Sequence, residues 1–258
     1  MPHVTVDGCR LHYRLDGAED APPLLLIHAV GVDLGMWAPQ ADRFAGRFRV
    51  LRYDHRGHGG SDVPVGAYSL DRLGRDAVGL LDALGIARTH VAGLSMGGMV
   101  ALWLGIHAPD RVDRLVPCCT TAYAGGAAVW DPRIAAVQAG GMAALADGVI
   151  ERWFTPGFRK RAPGTIAGVR QTLLGTSPEG YAGCCAAIRD MDQRDAIGRI
   201  AAPTLVISGA HDAGTPPERG REIAAAVPGA QFLALDAAHI ANIEQPDAFG
   251  AAVEDFLG

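Results

Sequence analysis

Ser95 stands in Gly93-Leu94-Ser95-Met96-Gly97, followed by Gly98. A serine hydroxyl exposed on a sharp strand-to-helix turn needs small residues two positions to either side, because backbone and helix crowd that turn. Gly93 and Gly97 occupy those positions, and Gly98 adds room for close packing. The turn also sets Ser95 near a helix N-terminus, where unpaired N–H groups favour developing negative charge. The chemistry implied is nucleophilic attack on an acyl carbon. A lone hydroxyl is a weak nucleophile, so a base is required, and an acid to orient that base.

Where a serine of this kind sits on a strand-to-helix elbow, the acid and then the histidine follow it along the chain. After residue 194 only His211 and His239 are available. His239 comes just after the final expected strand, where a loop reaches back toward the serine. Asp212 lies beyond the strand Thr204–Ser208, with His211 as its neighbour, and is the expected acid. The other customary place, after the strand ending at Cys119, offers Thr120 and Thr121 but no carboxylate. Asp236 stands as a rival only three residues before His239.

A tetrahedral intermediate needs two backbone donors aimed at its charged oxygen. One is expected from Met96, the residue after the nucleophile. The other is expected from Val30 in His28-Ala29-Val30-Gly31, the loop after the run Leu24–Ile27. Further polar clusters have plainer readings. Asp54-His55-Arg56-Gly57-His58-Gly59 reads as a tight turn before Ser61-Asp62 rather than a metal site, and Arg159-Lys160-Arg161 as a solvated face. Trp130, Arg133 and Trp153 are candidates for a substrate wall.

The elements that must position these residues follow from hydropathy spacing. Val4–Val6 and Leu11–Leu15 read as strands around the hairpin signal Asp7-Gly8. Leu24–Ile27 is continuously apolar, as a strand buried on both faces requires. Phe48–Tyr53, His90–Gly93 and Arg114–Cys119 read as further strands, separated by helices at Met36–Ala45, Leu70–Leu84 and Met96–His107. From Trp130 to about Arg194 the spacing predicts only helices, broken at Gly140-Gly141, Thr155-Pro156-Gly157 and Ser177-Pro178-Glu179-Gly180. Strand Pro203–Ser208, helix Glu218–Val227, strand Gln231–Leu235 and helix Asp247–Leu257 complete the chain. Repeated strand–helix–strand units predict a mostly parallel sheet flanked by helices. With the serine elbow, this is the α/β-hydrolase fold: a core of residues 1–121 and 195–258, with a helical lid inserted at 122–194.

Bulk properties limit the alternatives. The chain has 258 residues, 49% hydrophobic and 20% charged, with a net charge of −5. That balance suits one globule with a large core. No basic run gathers phosphates, so nucleic acid is not an expected partner. No apolar stretch approaches the roughly 20 residues that span a bilayer, and the N-terminus lacks the apolar core of a signal peptide. Five cysteines, Cys9 and the vicinal pairs Cys118-Cys119 and Cys184-Cys185, make a poor disulfide framework and have no zinc spacing. They read as buried thiols in a reducing compartment, the cytoplasm.

GLSMGGMVALWLGIHAPDRVDRLV together with RYDHRGHGGSDVP resembles the 3-oxoadipate enol-lactonases. The resemblance continues through the lid, at AGGMAALADGVIERWFTP and SPEGYAGCCAAIRDMDQR, and to LDAAHIANIEQP near the end. It implies hydrolysis of 3-oxoadipate enol-lactone to 3-oxoadipate without cofactor or metal, and its triad maps onto Ser95, Asp212 and His239. The implied substrate carries a carboxylate, for which Arg133 is the expected partner. One departure stands out: such lactonases commonly read Asn-Ser-Leu-Gly at His28-Ala29-Val30-Gly31. A general carboxylesterase or a cofactor-free perhydrolase would use the same triad on another acyl group. A haloalkane dehalogenase would carry aspartate in place of Ser95. A non-catalytic ligand receptor on the same scaffold is the reading from outside the enzymes.

Overall fold

The computed structural model describes residues 2–258. Its eight strands are β1 His3–Val6, β2 Cys9–Asp16, β3 Pro23–Ile27, β4 Arg49–Tyr53, β5 Thr89–Leu94, β6 Val112–Cys118, β7 Leu205–Gly209 and β8 Gln231–Leu235. They form a single sheet in the order β1-β2-β4-β3-β5-β6-β7-β8. β1 and β2 pair antiparallel around Asp7 and Gly8, both with positive φ (46° and 73°), the backbone of a two-residue hairpin whose twist matches the strands. β2 also runs antiparallel to β4, and every later pairing is parallel.

The apolar runs take the centre of this sheet. Leu24 to Ile27 of β3 are entirely enclosed, and every residue of β5 is buried. Helices cover both faces, so neither face of these strands meets water. Burial of each such leucine or isoleucine contributes on the order of 2 kcal/mol.

The covering helices are α1 Ala38–Phe44, α2 Leu70–Ala83 and α3 Met96–His107 in the first half of the chain. Between β6 and β7 come α4 Ala127–Gly140, α5 Ala146–Trp153, α6 Pro156–Arg161, α7 Pro163–Gly175 and α8 Pro178–Asp190. The last three are α9 Pro217–Ala226, α10 Ala241–Glu244 and α11 Pro246–Leu257. The expected helix at Met36–Ala45 divides into a 3-10 turn, Leu34–Trp37, capped by Asp33, and α1, which Pro39 starts. Helix α2 is amphipathic, with Ser69 accepting from the Arg72 N–H at its start.

The segment between β6 and β7 is helical, as its spacing predicts. Its breaks fall at Gly141, at Thr155, which caps α6, and at Ser177, which caps α8. A fourth break at Ala162-Pro163 separates α6 from α7, and α4 begins three residues earlier than its first aromatic, Trp130. Among the described residues no helix is long and apolar enough to cross a membrane.

Candidate active site

Ser95 lies at the turn from β5 into α3 with φ 58° and ψ −116°, a backbone region that costs a non-glycine residue about 1–3 kcal/mol. The surroundings hold it there. Its N–H donates to Cys118 O at 2.9 Å, and the Thr120 hydroxyl donates to Ser95 O at 2.7 Å. The flanking glycines are required by contact. A Cβ on Gly97 would sit 2.1 Å from Ile27 O, and one on Gly93 would sit 2.1 Å from Gly97 O.

His239, in the loop after β8, is held by Asp212, in the loop after β7. Nδ1 of the imidazole lies 2.7 Å from Asp212 Oδ2. Asp212 Oδ1 accepts the N–H groups of Gly214 and Thr215 at 2.8 and 3.0 Å. Burial alone would raise the Asp212 carboxyl, but the charge and hydrogen bond of His239 and the Thr215 donors outweigh it and hold it below the usual value. The rival, Asp236, is engaged elsewhere: His211 Nε2 lies 2.7 Å from its Oδ1, and both side chains are largely exposed.

The structure therefore joins Asp212 to His239, and it sets Ser95 in its elbow at the same end of the parallel strands. No hydrogen bond joins the Ser95 hydroxyl to His239 Nε2.

Thr215 is a residue that spacing did not single out. Its hydroxyl oxygen lies 2.7 Å from Asp212 Oδ2, 2.8 Å from Cys119 O and 3.3 Å from His239 Nδ1. Its one proton serves Asp212 or Cys119, while its lone pairs face the imidazole N–H. Together with the Ser95–Cys118 and Ser95–Thr120 bonds, this makes the end of β6 the tie between the serine turn and the acid loop.

The loop after β3 is fastened by histidines. Ala29 N–H meets Met36 Sδ at 3.4 Å, and Gly31 N–H donates to His58 Nε2 at 2.9 Å. Between them the N–H of Val30 has no acceptor among the described residues, and neither has that of Met96 at the start of α3. His28 is wholly enclosed, with both ring nitrogens engaged: its Nδ1–H donates to Ala29 O at 2.7 Å, and its Nε2 accepts from His55 N–H at 3.0 Å. Burial lowers all three imidazoles, that of His58 to about 3, helped by His28 beside it, so they serve as neutral hydrogen-bonding groups. The departure at His28 thus affects how the loop is held.

The turn Asp54–Gly59 is built for architecture. Asp54 accepts from His12, Leu34 and Gly60, and Arg56 forms a buried two-pronged pair with Asp76 at 2.5 and 2.8 Å. No group of three or more His, Cys, Asp or Glu among the described residues is arranged to hold a metal ion.

Of the three residues named for a substrate wall, Trp153 lies beside His239. Its ring lies near-parallel to the His239 imidazole, with the centroids 6.5 Å apart. Trp130 and Arg133 meet each other instead, the guanidinium lying 5.3 Å from the indole centroid. Arg133 Nε donates to Tyr181 OH at 2.6 Å. Tyr181, also not singled out by the sequence, packs against Gly31 so closely that a Cβ there would lie 3.0 Å from its ring. Arg133 is thereby linked to the Val30 loop through one side chain. Lys160 and Arg161 are exposed, as their run suggests.

The sheet order and serine elbow define a class, and sequence comparison agrees: residues 22–162 match the family model described as alpha/beta hydrolase fold. The chain belongs to that family. Its relatives include the 3-oxoadipate enol-lactonase 2 of Acinetobacter baylyi, 39% identical, with 97% of this chain and 94% of that protein covered. Among solved structures, the enol-lactonase from Burkholderia xenovorans LB400 superposes with a TM-score of 0.98 at 46% identity, covering 99% of each chain. A thermophilic esterase from Thermogutta terrifontis superposes at 0.94 with 30% identity over 100% of this chain and 98% of that one. The resemblance to enol-lactonases read from the sequence is borne out.

Proposed function

We propose that this protein is a serine hydrolase that opens 3-oxoadipate enol-lactone to 3-oxoadipate, in the catabolism of aromatic acids. The observation that carries the reading is the full-length match to enol-lactonases. It runs through the helices between β6 and β7, where hydrolases of this fold differ most, as well as through the sheet.

In this mechanism His239, oriented by Asp212, takes the Ser95 proton as Oγ attacks the lactone carbonyl. The N–H groups of Val30 and Met96 receive the oxyanion, which their lack of other acceptors supports. Collapse breaks the ring C–O bond. The leaving oxygen is an enolate; the proton that His239 took from Ser95 passes to its carbon, which gives the ketone and returns His239 to the neutral form. Water then gives a proton to His239 and attacks the acyl ester, and Ser95 leaves with that proton restored. Residues 122–194 act as the lid over this site. Arg133, next to Trp130, receives the substrate carboxylate, and Trp153 forms the wall beside His239. The substrate is a small molecule and the setting is the cytoplasm, consistent with five free, buried thiols.

The likeness to an esterase favours a second reading, hydrolysis of simple carboxylic esters by the same residues. Turnover of freshly generated 3-oxoadipate enol-lactone, compared with p-nitrophenyl acetate and with peracid formation, separates the readings. The enol-lactonase reading expects kcat/KM for the lactone to exceed that for the aryl ester by about 100-fold or more, as a bound carboxylate allows. A preference for the aryl ester would replace it with the second reading.

A further inference from the structure

Glu244 is a buried carboxylate that the proposed reaction does not use. It ends α10, five residues after His239, and is 4% exposed. Its Oε2 accepts the N–H of Ala238 at 3.0 Å and that of Thr155 at 3.3 Å, and its Oε1 accepts the Thr155 hydroxyl. The hydroxyl's direction is set, because the Thr155 oxygen also accepts the Phe158 N–H at 3.2 Å as the cap of α6. A carboxylate withdrawn from water is stable only when its oxygens are supplied with donors, so this arrangement tolerates little displacement.

Its partners place Glu244 beside the base. Ala238 immediately precedes His239. On the other side, Ile240 N–H donates to Trp153 O at 3.1 Å, and the Trp153 ring lies near-parallel to the imidazole. The residues before and after His239 are therefore both fastened to Trp153–Thr155, one directly and one through Glu244. Asp212 fixes one ring nitrogen but leaves the backbone that carries the ring to be held by something else.

We infer that Glu244 is a positioning residue: it ties the junction of α5 and α6 to the His239 loop and so sets where the imidazole meets Ser95. The inference rests on the proposed roles of Ser95 and His239. Productive geometry needs placement within about 0.5 Å, and a 1 Å error can cost about 100-fold in rate.

The test uses the full chain as wild type, E244A, E244D, E244Q and S95A. It measures kcat and KM for p-nitrophenyl acetate, the rate of fluorophosphonate labelling of Ser95, and the thermal midpoint. For E244A, kcat should fall about 10–100-fold with KM within about twofold, and labelling should slow by the same factor. E244Q keeps an oxygen for the two N–H donors and should recover to within about threefold of wild type. Folded E244A with wild-type kcat and labelling, changed only in thermal midpoint, would overturn the inference. If E244A does not fold, E244D decides: its carboxylate is one methylene too short to reach both Ala238 and Thr155, so wild-type kcat in folded E244D overturns it equally. Turnover surviving in S95A would instead overturn the underlying reading, so the two failures are distinct.

Discussion

The sheet-end loops and the helical segment between β6 and β7 contribute to the site in different ways. The loops hold Ser95 and Asp212 through bonds that begin or end on the backbone, Ser95 to Cys118 and Thr120 and Asp212 to Gly214 and Thr215, and Asp212 in turn holds the His239 imidazole. The helical segment presents side chains, Arg133 on Tyr181 and Trp153 beside His239, and meets the His239 loop by backbone only at Trp153 O and Thr155 N–H. Backbone-anchored groups keep their place whatever acyl group arrives, whereas side chains on helices can be exchanged without disturbing the sheet. On the proposed mechanism the first region carries the reaction and the second the choice of substrate. Changes in the loops should lower kcat for every substrate; changes in the helices should raise KM for the carboxylated one.

The largest effect is expected for D212N, which would leave His239 without its orienting charge and should lower kcat about 10⁴-fold on lactone and aryl ester alike in steady-state assays. A loss confined to the lactone would erase the division between regions. R133A should raise KM for the enol-lactone about 10–100-fold, the range of a lost charge-assisted hydrogen bond, and leave p-nitrophenyl acetate kinetics unchanged. An unchanged lactone KM would remove Arg133 from the substrate wall. Smaller again, T215V should lower kcat about 3–10-fold at constant KM, since a hydroxyl proton shared between Asp212 and Cys119 O is lost.

A further effect concerns stability and leaves the division of labour in catalysis untouched. Burial, then the neighbouring His28, lower His58 in the folded chain from its ordinary 6.5 to about 3. Between those values the unfolded chain binds the extra proton, so this contribution is complete above pH 6.5 and declines as pH falls toward 3. H58Q should flatten the dependence of the urea midpoint on pH across that window. An identical slope in both proteins would show that His58 is not buried neutral as described.

Much of this arrangement was legible because it depends on local spacing. The apolar run at Leu24–Ile27, the glycines around Ser95 and the turn at Asp7-Gly8 each record a steric demand in a few adjacent residues. The pairing of His239 with Asp212, and not Asp236, followed from the order of strands. Thr215, Tyr181 and Glu244 carried no such signal. Each is a single polar residue with at least one partner remote in sequence, Cys119 for Thr215, Arg133 for Tyr181 and Thr155 for Glu244, and only the folded chain brings them together. His28 looked like a change in the site itself because its neighbours in sequence lie there. The structure encloses its ring, since the loop needs an acceptor for the His55 N–H. The break at Ala162-Pro163 illustrates the same limit in the helices: a proline starts a new helix there as readily as it ends one.

The central claim is that Ser95 attacks the lactone carbonyl. Turnover of freshly generated 3-oxoadipate enol-lactone by wild type and S95A tests it most directly, with intact-mass analysis after fluorophosphonate treatment. The account predicts repeated turnovers and one label per chain for wild type, and for S95A no label and a rate reduced by about 10⁴-fold or more. Lactone hydrolysis by S95A at a rate near that of wild type would contradict it.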